Sequence, residues 1–265
     1  MADSASVKRG EARMGFGAII IGDEIMRGKR QDKHFPKLVE LLAARGLALA
    51  WAEYLGDDPE RITATLRRTL AGADVVFSFG GIGATPDDHT RQAAAAALGV
   101  PLALHPDAEA AIRGRFGAET TPFRLRMGEF PAGAAIIPNP YNQIPGFSIG
   151  DHHFVPGFPV MAWPMIEWVL DHRYASLHHR VPEAEASIVV YGSAESLLTP
   201  LMIEVEARYP RVKVFSLPHM GEAGSRRHIE LGVRGDPGEV APALEALKAG
   251  VAASGATFEP APPAR

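Results

Sequence analysis

The stretch DVVFSFGGIGATPDDHTRQAAAAAL, Asp74 to Leu98, reads as a strand, a glycine-rich turn and a helix in immediate succession. Asp74 to Phe79 is the strand, and Thr90 to Leu98 is a helix made largely of alanine. Between them Gly80, Gly81 and Gly83 let the backbone turn sharply and aim several N–H groups into one concavity. The N-terminus of the following helix adds partial positive charge there. That is an anion-binding geometry. It is neither of the common phosphate loops. No Gly-Lys-Ser/Thr follows, and Pro86 stands where the last glycine of G-x-G-x-x-G belongs.

Working outward, the same alternation repeats. Upstream, Phe16 to Ile21 is a compact apolar strand closed by Gly22. Phe35, Leu38, Val39, Leu41 and Leu42 recur at helical spacing and end at Arg45-Gly46. Leu47 to Tyr54 is the next strand, and Asp58-Pro59-Glu60 opens a helix from Pro59 to about Ala71 with a cap and a proline in its first turn. Downstream come a helix at Asp107 to Phe116, a strand at Ala134 to Ile137, and a hairpin pairing Phe147 to Ile149 with His153 to Val155 about Gly150-Asp151. A helix from Pro159 to about Leu170 follows, which Pro164 should kink or delay. The series predicts an α/β fold, a three-layer α/β/α arrangement on a mostly parallel sheet. A polar linker at His172 to Glu185, containing Pro182, leads to a second, smaller α+β domain. Its elements are Ala186 to Tyr191, Ala194 to Arg208, Val212 to Leu217, His228 to Val233 and Gly238 to Ala252. The expected organisation is a disordered tail (1–14), an α/β domain (15–172), a small α+β domain (185–256) and a second disordered tail (257–265).

Composition narrows the chemistry. In 265 residues there are 27 Lys and Arg against 31 Asp and Glu, a net charge of −4, so neither nucleic acid nor an anionic membrane is an expected partner. Hydrophobic residues make up 46% and charged residues 22%, which is ordinary for a globular chain. The absence of cysteine removes disulfides, thiolate catalysis, iron–sulfur clusters and Cys-type zinc sites. Met1 to Arg13 lack the apolar core of a secretory signal, and no apolar run is long enough to span a bilayer, so a cytoplasmic protein is expected.

Asp87 and Asp88 adjoin the proposed anion site. A carboxylate about 4 Å from a phosphate repels it by roughly 4 kcal/mol at an intermediate dielectric, unless a cation lies between them. Mg²⁺, which binds through one or two carboxylates plus substrate phosphates, is the natural candidate. The alternative is that one of the two aspartates caps the following helix. Gly22-Asp23-Glu24 and Gly56-Asp57-Asp58 follow the first two strands. In a doubly wound sheet all three turns open on one crevice outside the carboxyl ends of the strands. Asp58 is explained by its capping of the Pro59 helix.

Gly22-Asp23-Glu24 with Gly28 and Asp32, Gly56-Asp57-Asp58, and Gly80-Gly81-x-Gly83-x-Thr85-x-Asp87-Asp88-x-Thr90 occur in that order. Asn139-Pro140, Pro145-Gly146 and Pro156-Gly157-x-Pro159 follow. Together they resemble the molybdopterin-binding domain shared by molybdenum-cofactor biosynthesis proteins and by the competence/damage-inducible protein A family, over about Gly15 to Leu170. The second domain is similar to that of the damage-inducible branch through Tyr191-Gly192-x-x-Glu195-Ser196. The resemblance implies a small phosphorylated ligand, molybdopterin or a nucleotide, held at Gly80, Gly81, Gly83 and Thr85. Asp23, Glu24, Asp87, Thr90, Pro156 and Gly157 complete the ligand site. Asp57 and Asp88 are the acidic positions tied to activity and to Mg²⁺. It also implies a homo-oligomer. Its activities are nucleotidyl transfer to molybdopterin or metal insertion, and Mg²⁺-dependent cleavage of ADP-ribose-like pyrophosphates. A non-catalytic binding protein is the further alternative.

Three positions depart from the pattern. His34 stands for the usual Asn, Ala84 for the proline of the glycine loop, and Met161 for the acidic residue after the last Pro-Gly-x-Pro. Phosphate holding survives these changes better than chemistry does. The length leaves no room for the C-terminal amidohydrolase domain of longer members, so that activity is expected to be absent. Adjacent histidines at His152-His153 and His178-His179 point to opposite faces of a strand and make a poor metal site, so most histidines are expected at the surface or in the hairpin. His34 and His89 are the two placed for acid–base or ligand contacts. Met161, Trp163, Met165 and Trp168 form a stripe suited to core or to a subunit interface.

Overall fold

Phe16–Ile21 is buried at every residue and forms β1 near the centre of a six-stranded sheet in the computed structural model, which describes residues 14–179, 184–221 and 226–261. The expected N-terminal tail lies, apart from Met14, outside the described residues. β2 (Leu49–Leu55) and β3 (Val75–Phe79) flank β1 in parallel, and β8 (His152–Val155) continues parallel beside β3. Two antiparallel strands, β7 (Gly146–Ile149) and β6 (Ala135–Ile137), complete the order β2-β1-β3-β8-β7-β6. The helices between them are α1 (Asp23–Met26), α2 (His34–Ala43), α3 (Pro59–Leu70), α4 (Thr90–Leu98), α5 (Pro106–Phe116), α6 (Pro122–Leu125) and α7 (Pro159–Arg173). A separate two-stranded ribbon pairs β4 (Leu102–Leu104) with β5 (Glu129–Pro131).

Alternation along the central strands feeds two cores. Ala18, Ile20, Phe77 and Phe79 pack with Leu38 and Leu42 of α2 and Met165, Ile166 and Val169 of α7. Ile19, Ile21 and Val76 pack on the other face with Ile62 and Leu66 of α3 and Ala93 and Ala94 of α4. The small side chains of the alanine run let α4 lie close to α3 and the sheet. Phe130, Phe147 and Phe154 extend this second core as a stack with ring centroids 4.8 and 4.4 Å apart. The fold is therefore the three-layer α/β/α arrangement that the alternation predicts.

The structure corrects several local expectations. α7 begins at Pro159, as expected, so Pro164 does not delay its start, and the helix continues past Pro164 to Arg173. The carbonyl left without a donor there belongs to exposed Val160, where water can replace the missing N–H. Met165 is fully buried, and Trp163 and Trp168 are half-buried against the first core, so the stripe is largely core. The expected linker is shorter than His172 to Glu185. α7 runs to Arg173, Ala175–Leu177 form a 3-10 turn, and buried Tyr174 anchors the end of the helix by donating to Asp151 Oδ1 at 2.7 Å. Pro182 lies outside the described residues.

The chain divides into two compact units between His178 and His179. The second runs β9 (Ala184–Tyr191), α8 (Glu195–Arg208), β10 (Val212–His219), β11 (His228–Gly235), α9 (Pro237–Ala253) and β12 (Thr257–Pro260). Its sheet order is β10-β11-β9-β12, a split βαβ arrangement. Ile188, Val190, Leu231 and Val233 meet Leu198 and Leu247 in its core. The tail expected from 257 is corrected by β12. The outer edge of β9 would otherwise expose a row of unpaired N–H and C=O groups, and β12 pairs with it antiparallel. No helix among the described residues is long and apolar enough to cross a membrane.

His152 and His153 lie in the hairpin, as expected, on opposite faces of β8, and both are buried. His152 Nε2 lies 2.9 Å from Thr69 Oγ1. His153 Nδ1 lies 2.8 Å from Ser148 Oγ, and its Nε2 lies 2.7 Å from Tyr174 OH. Burial lowers their pKa values from 6.5 to about 4 and about 3. Above pH 6.5 both rings are neutral in either state. Below it the unfolded chain takes up protons that the folded chain refuses, until the pH passes the folded values. Urea unfolding is therefore expected to show stability falling from pH 6.5 toward pH 4, by up to about 1.4 kcal/mol per pH unit for each ring. His152→Gln should make the slope shallower; a slope unchanged by that substitution would show that the ring is not held neutral.

Candidate functional site

Because β1, β2, β3 and β8 run parallel, the turns that follow them share one edge of the sheet. The reversal of strand order about β1 and β3 leaves a crevice there. Gly80 sets how closely the turns approach. It has φ +100, and a Cβ on it would lie 2.3 Å from the Ile21 carbonyl oxygen. A Cβ on Gly157 would lie 3.4 Å from Gly80 Cα.

The glycine loop is braced from beneath. Thr90 is fully buried, donates through Oγ1 to the Gly80 carbonyl at 2.9 Å, and donates through its N–H to the Gly81 carbonyl at 2.9 Å. Gly81 has φ +68, and a Cβ there would stand 2.2 Å from Thr90 Oγ1. Asp88 Oδ2 accepts from the Thr85 N–H at 2.8 Å and from Thr85 Oγ1 at 2.5 Å. Neither Asp87 nor Asp88 caps α4. His89 occupies that position without a side-chain hydrogen bond. Among the described residues the N–H groups of Gly81, Ile82, Gly83 and Ala84 have no hydrogen-bond acceptor.

Those four residues form one wall of a cavity of about 360 Å³ together with Thr85 and Asp88. Pro156, Gly157, Phe158 and Met161 come from the turn after β8 and the start of α7. Asn139, Asn142, Ile144 and Pro145 come from the loop between β6 and β7, and Met127 closes the remaining side. Asn139 shapes its loop by donating to the Ile144 carbonyl at 3.0 Å and accepting from the Tyr141 N–H at 3.1 Å. The result is a mostly apolar pocket with polar backbone groups gathered on one wall, as small-molecule sites commonly are.

Of the residues expected at the site, Gly81, Gly83, Thr85, Asp88, Pro156 and Gly157 line the cavity, and Gly80 and Thr90 lie behind it as supports. Asp23, Glu24, Asp57 and Asp87 are not among its walls and belong to a neighbouring acidic cluster. Asp23 N–H donates to Asp57 Oδ2 at 2.9 Å, and Asp57 N–H donates to Asp23 Oδ1 at 3.2 Å. Partial burial, followed by the charges of Asp23, Glu24 and Asp87, raises the Asp57 pKa against the opposing effect of the Asp23 N–H. Arg27 pairs with Asp23 at 2.6 Å, in solvent. No three His, Asp or Glu side chains among the described residues converge as a metal-ligand set.

His34 is neither exposed nor free. Its Nε2 lies 3.0 Å from the Gly157 carbonyl oxygen, its ring stacks on Phe79 at 4.5 Å, and burial lowers its pKa. It supports the Gly157 turn from the core. Two contributors were invisible as site residues in the sequence. Asn142, whose amide lies 3.1 Å from Met161 Sδ, carries no motif of its own. Arg91 is 2% exposed and donates through Nη2 to the Gly83 carbonyl at 2.6 Å. Its only signal was a cation in the first turn of a helix, where the helix dipole opposes it.

Residues 17–176 match the family described as probable molybdopterin binding domain. A CinA-like protein of Anaeromyxobacter sp. (strain K) is 33% identical over 239 residues, covering 82% of this chain and 58% of its own length. A protein of Pyrobaculum arsenaticum is 32% identical over 219 residues, covering 80% of this chain and 83% of its own. The crystal structure of the protein CinA, of unknown function, from Thermoplasma acidophilum superposes with a TM-score of 0.55 at 28% identity, covering 59% of this chain and 97% of that one. The chain spans little more than half the length of the CinA-like relative.

The bracing of the loop is testable. Thr90→Val leaves the buried Gly80 carbonyl without its donor and is expected to cost about 1–3 kcal/mol in chemical denaturation. Gly81→Ala should also destabilise, since the residue needs a left-handed backbone and has no room for a methyl group. Stability equal to the parent in both variants would show that the loop is not fixed from beneath.

Proposed function

As the chain belongs to the family of probable molybdopterin binding domains, we propose that it binds a small phosphorylated pterin, molybdopterin or a close relative, with the phosphate on the Gly81–Thr85 loop and the ring system in the adjoining cavity. The observation that carries this reading is the row of unpartnered N–H groups from Gly81 to Ala84, four residues that line a pocket otherwise mostly apolar. Such a row at the head of α4 provides donors for an anion, and the helix N-terminus adds favourable field. Met127, Ile144, Phe158 and Met161 offer apolar surface to a flat ring. Asn139 and Asn142 both line the pocket and both hold its wall together, Asn139 through the Ile144 carbonyl and the Tyr141 N–H, Asn142 through the Ile144 N–H and Met161 Sδ. A nucleotide presents the same phosphate chemistry and is the competing ligand.

Mg²⁺ fits this site only in part. The Asp88 oxygen that Thr85 occupies is committed to the loop. Asp57 has the hard oxygen donor that Mg²⁺ prefers, and the like charges around it are what a cation would relieve. With so few protein ligands, such an ion would depend on the ligand's phosphates for the rest of its shell, so Asp57 is the residue that would hold it. When bound it would supply charge neutralisation. The chain itself supplies the N–H donors, the apolar walls and the exclusion of water.

A hydrolytic reading, the cleavage of an ADP-ribose-like pyrophosphate, draws on the acidic cluster of Asp23, Glu24, Asp57 and Asp87, where Mg²⁺ held by Asp57 would supply the activation of a water. Met161, which stands at the cavity wall without an ionisable group, favours binding alone. A cytoplasmic location and self-association accord with the family and are part of the same proposal.

Isothermal titration with molybdopterin, ADP-ribose and AMP, with and without Mg²⁺, discriminates these readings. Tightest binding is expected for the pterin, and Asp57→Asn should abolish any enhancement by Mg²⁺ while leaving the metal-independent part. Absence of binding by every phosphorylated ligand would overturn the site. Mg²⁺-dependent release of AMP from ADP-ribose, lost in Asp57→Asn, would establish the hydrolytic reading in its place.

A further inference from the structure

We infer that Arg91 is the positioning residue of the anion loop: its guanidinium turns the Gly83–Ala84 peptide so that the Ala84 N–H faces the cavity, and it supplies the buried positive charge that a bound phosphate neutralises. The inference rests on the binding site proposed above.

Arg91 is the second residue of α4, and its side chain is almost wholly buried. Nη2 donates to the Gly83 carbonyl at 2.6 Å. Nη1 donates to the Arg126 carbonyl at 2.5 Å and to the Glu129 carbonyl at 3.1 Å. Three carbonyl oxygens satisfy hydrogen bonds but do not cancel a charge. The carboxylates that act on Arg91 through space are Glu129 and Asp88. Glu129 Oε2 is 3.9 Å from Nη1, beyond hydrogen-bonding distance, on a side chain 42% exposed. Asp88 makes its hydrogen bonds to Thr85 instead. Nε–H is buried with no partner.

Two physical points make this more than a tie between loops. In a trans peptide the carbonyl and the N–H point in opposite directions, so drawing the Gly83 carbonyl down onto Arg91 presents the Ala84 N–H on the opposite side. Gly83 and Ala84 both line the cavity. A neutral donor could also hold these carbonyls, without the desolvation of a cation and without opposing the dipole of α4. A buried cation whose ion pair is a loose one, 3.9 Å to a Glu129 side chain that is itself 42% exposed, and which holds the loop bearing a row of free N–H groups, is matched by an anion on the far side of that row.

Inorganic pyrophosphate is the probe, titrated into the full chain and followed by calorimetry and by nitrogen–proton correlation spectra. Pyrophosphate is expected to shift the Ala84 amide and the Arg91 side-chain Nε–H resonances together. Arg91→Gln should weaken binding by about tenfold or more, the loss of a charge-assisted contribution. Arg91→Lys, which keeps the charge but not the fork, should recover most of the affinity. No binding by the parent chain would overturn the site and this inference with it. If the parent binds and the Gly81 to Ala84 amides shift while Arg91 does not, or if Arg91→Gln binds as tightly as the parent, the site stands and the role of Arg91 falls. Should Arg91→Gln fail to fold, the resonances of the parent chain decide.

Discussion

The space that Gly80 leaves empty governs the rest of the first unit. Three backbones meet there: the end of β1 at Ile21, the start of the glycine loop, and the turn after β8 at Gly157. Any side chain at Gly80 would have to occupy the position of the Ile21 carbonyl, so the strands could not keep their spacing and deliver their turns to one crevice. Gly80 N–H donates to Val155 across this junction at 3.0 Å, and Thr90 takes the Gly80 carbonyl from the other side. The peptide groups around this glycine are thus satisfied inside the fold. The next four N–H groups are not, and that contrast is what makes a binding surface out of a turn.

Support for the loop comes from polar groups placed where apolar ones would pack more simply. Thr90, Arg91 and His34 are all buried, and each makes a hydrogen bond to a carbonyl of a ligand-facing turn or of the residue behind it. Burying such groups costs desolvation, which well-formed hydrogen bonds offset only in part. What they provide is a fixed direction for the peptide planes above them. A second polar set, buried Ser148, His153 and Tyr174 with exposed Asp151, joins β7, β8, their turn and the end of α7. It ties the last helix of the unit to the sheet.

Much of the fold was legible in local pattern. Apolar blocks such as Phe16–Ile21 and the capped start at Asp58-Pro59 correspond to real elements, and Asp58 accepts from the Arg61 N–H as a cap should. What was not legible was decided by partners distant in the chain. β12 is a polar, exposed stretch that becomes a strand only because β9 offers it an edge. The burial of His152 and His153 in their hairpin was not legible because two of their hydrogen-bond partners, Thr69 and Tyr174, are far away in sequence. At the site the glycines declared the loop and the acidic turns do meet at one edge, but the division between cavity wall and acidic cluster was not legible. Asp88 belongs to the cavity wall, while Asp57 belongs with Asp23. Arg91 gave no motif because its function depends on which carbonyls it reaches.

The pairing of β12 with β9 has a topological consequence. Pro260 lies opposite Ile188, and the Ala261 N–H approaches the Ser187 carbonyl at 3.4 Å. The polypeptide therefore leaves the second unit beside the strand through which it arrives. A unit whose two ends are neighbours can be carried within a longer polypeptide without forcing its flanking segments apart, and it can be lengthened at the far turn between β10 and β11 without disturbing that junction.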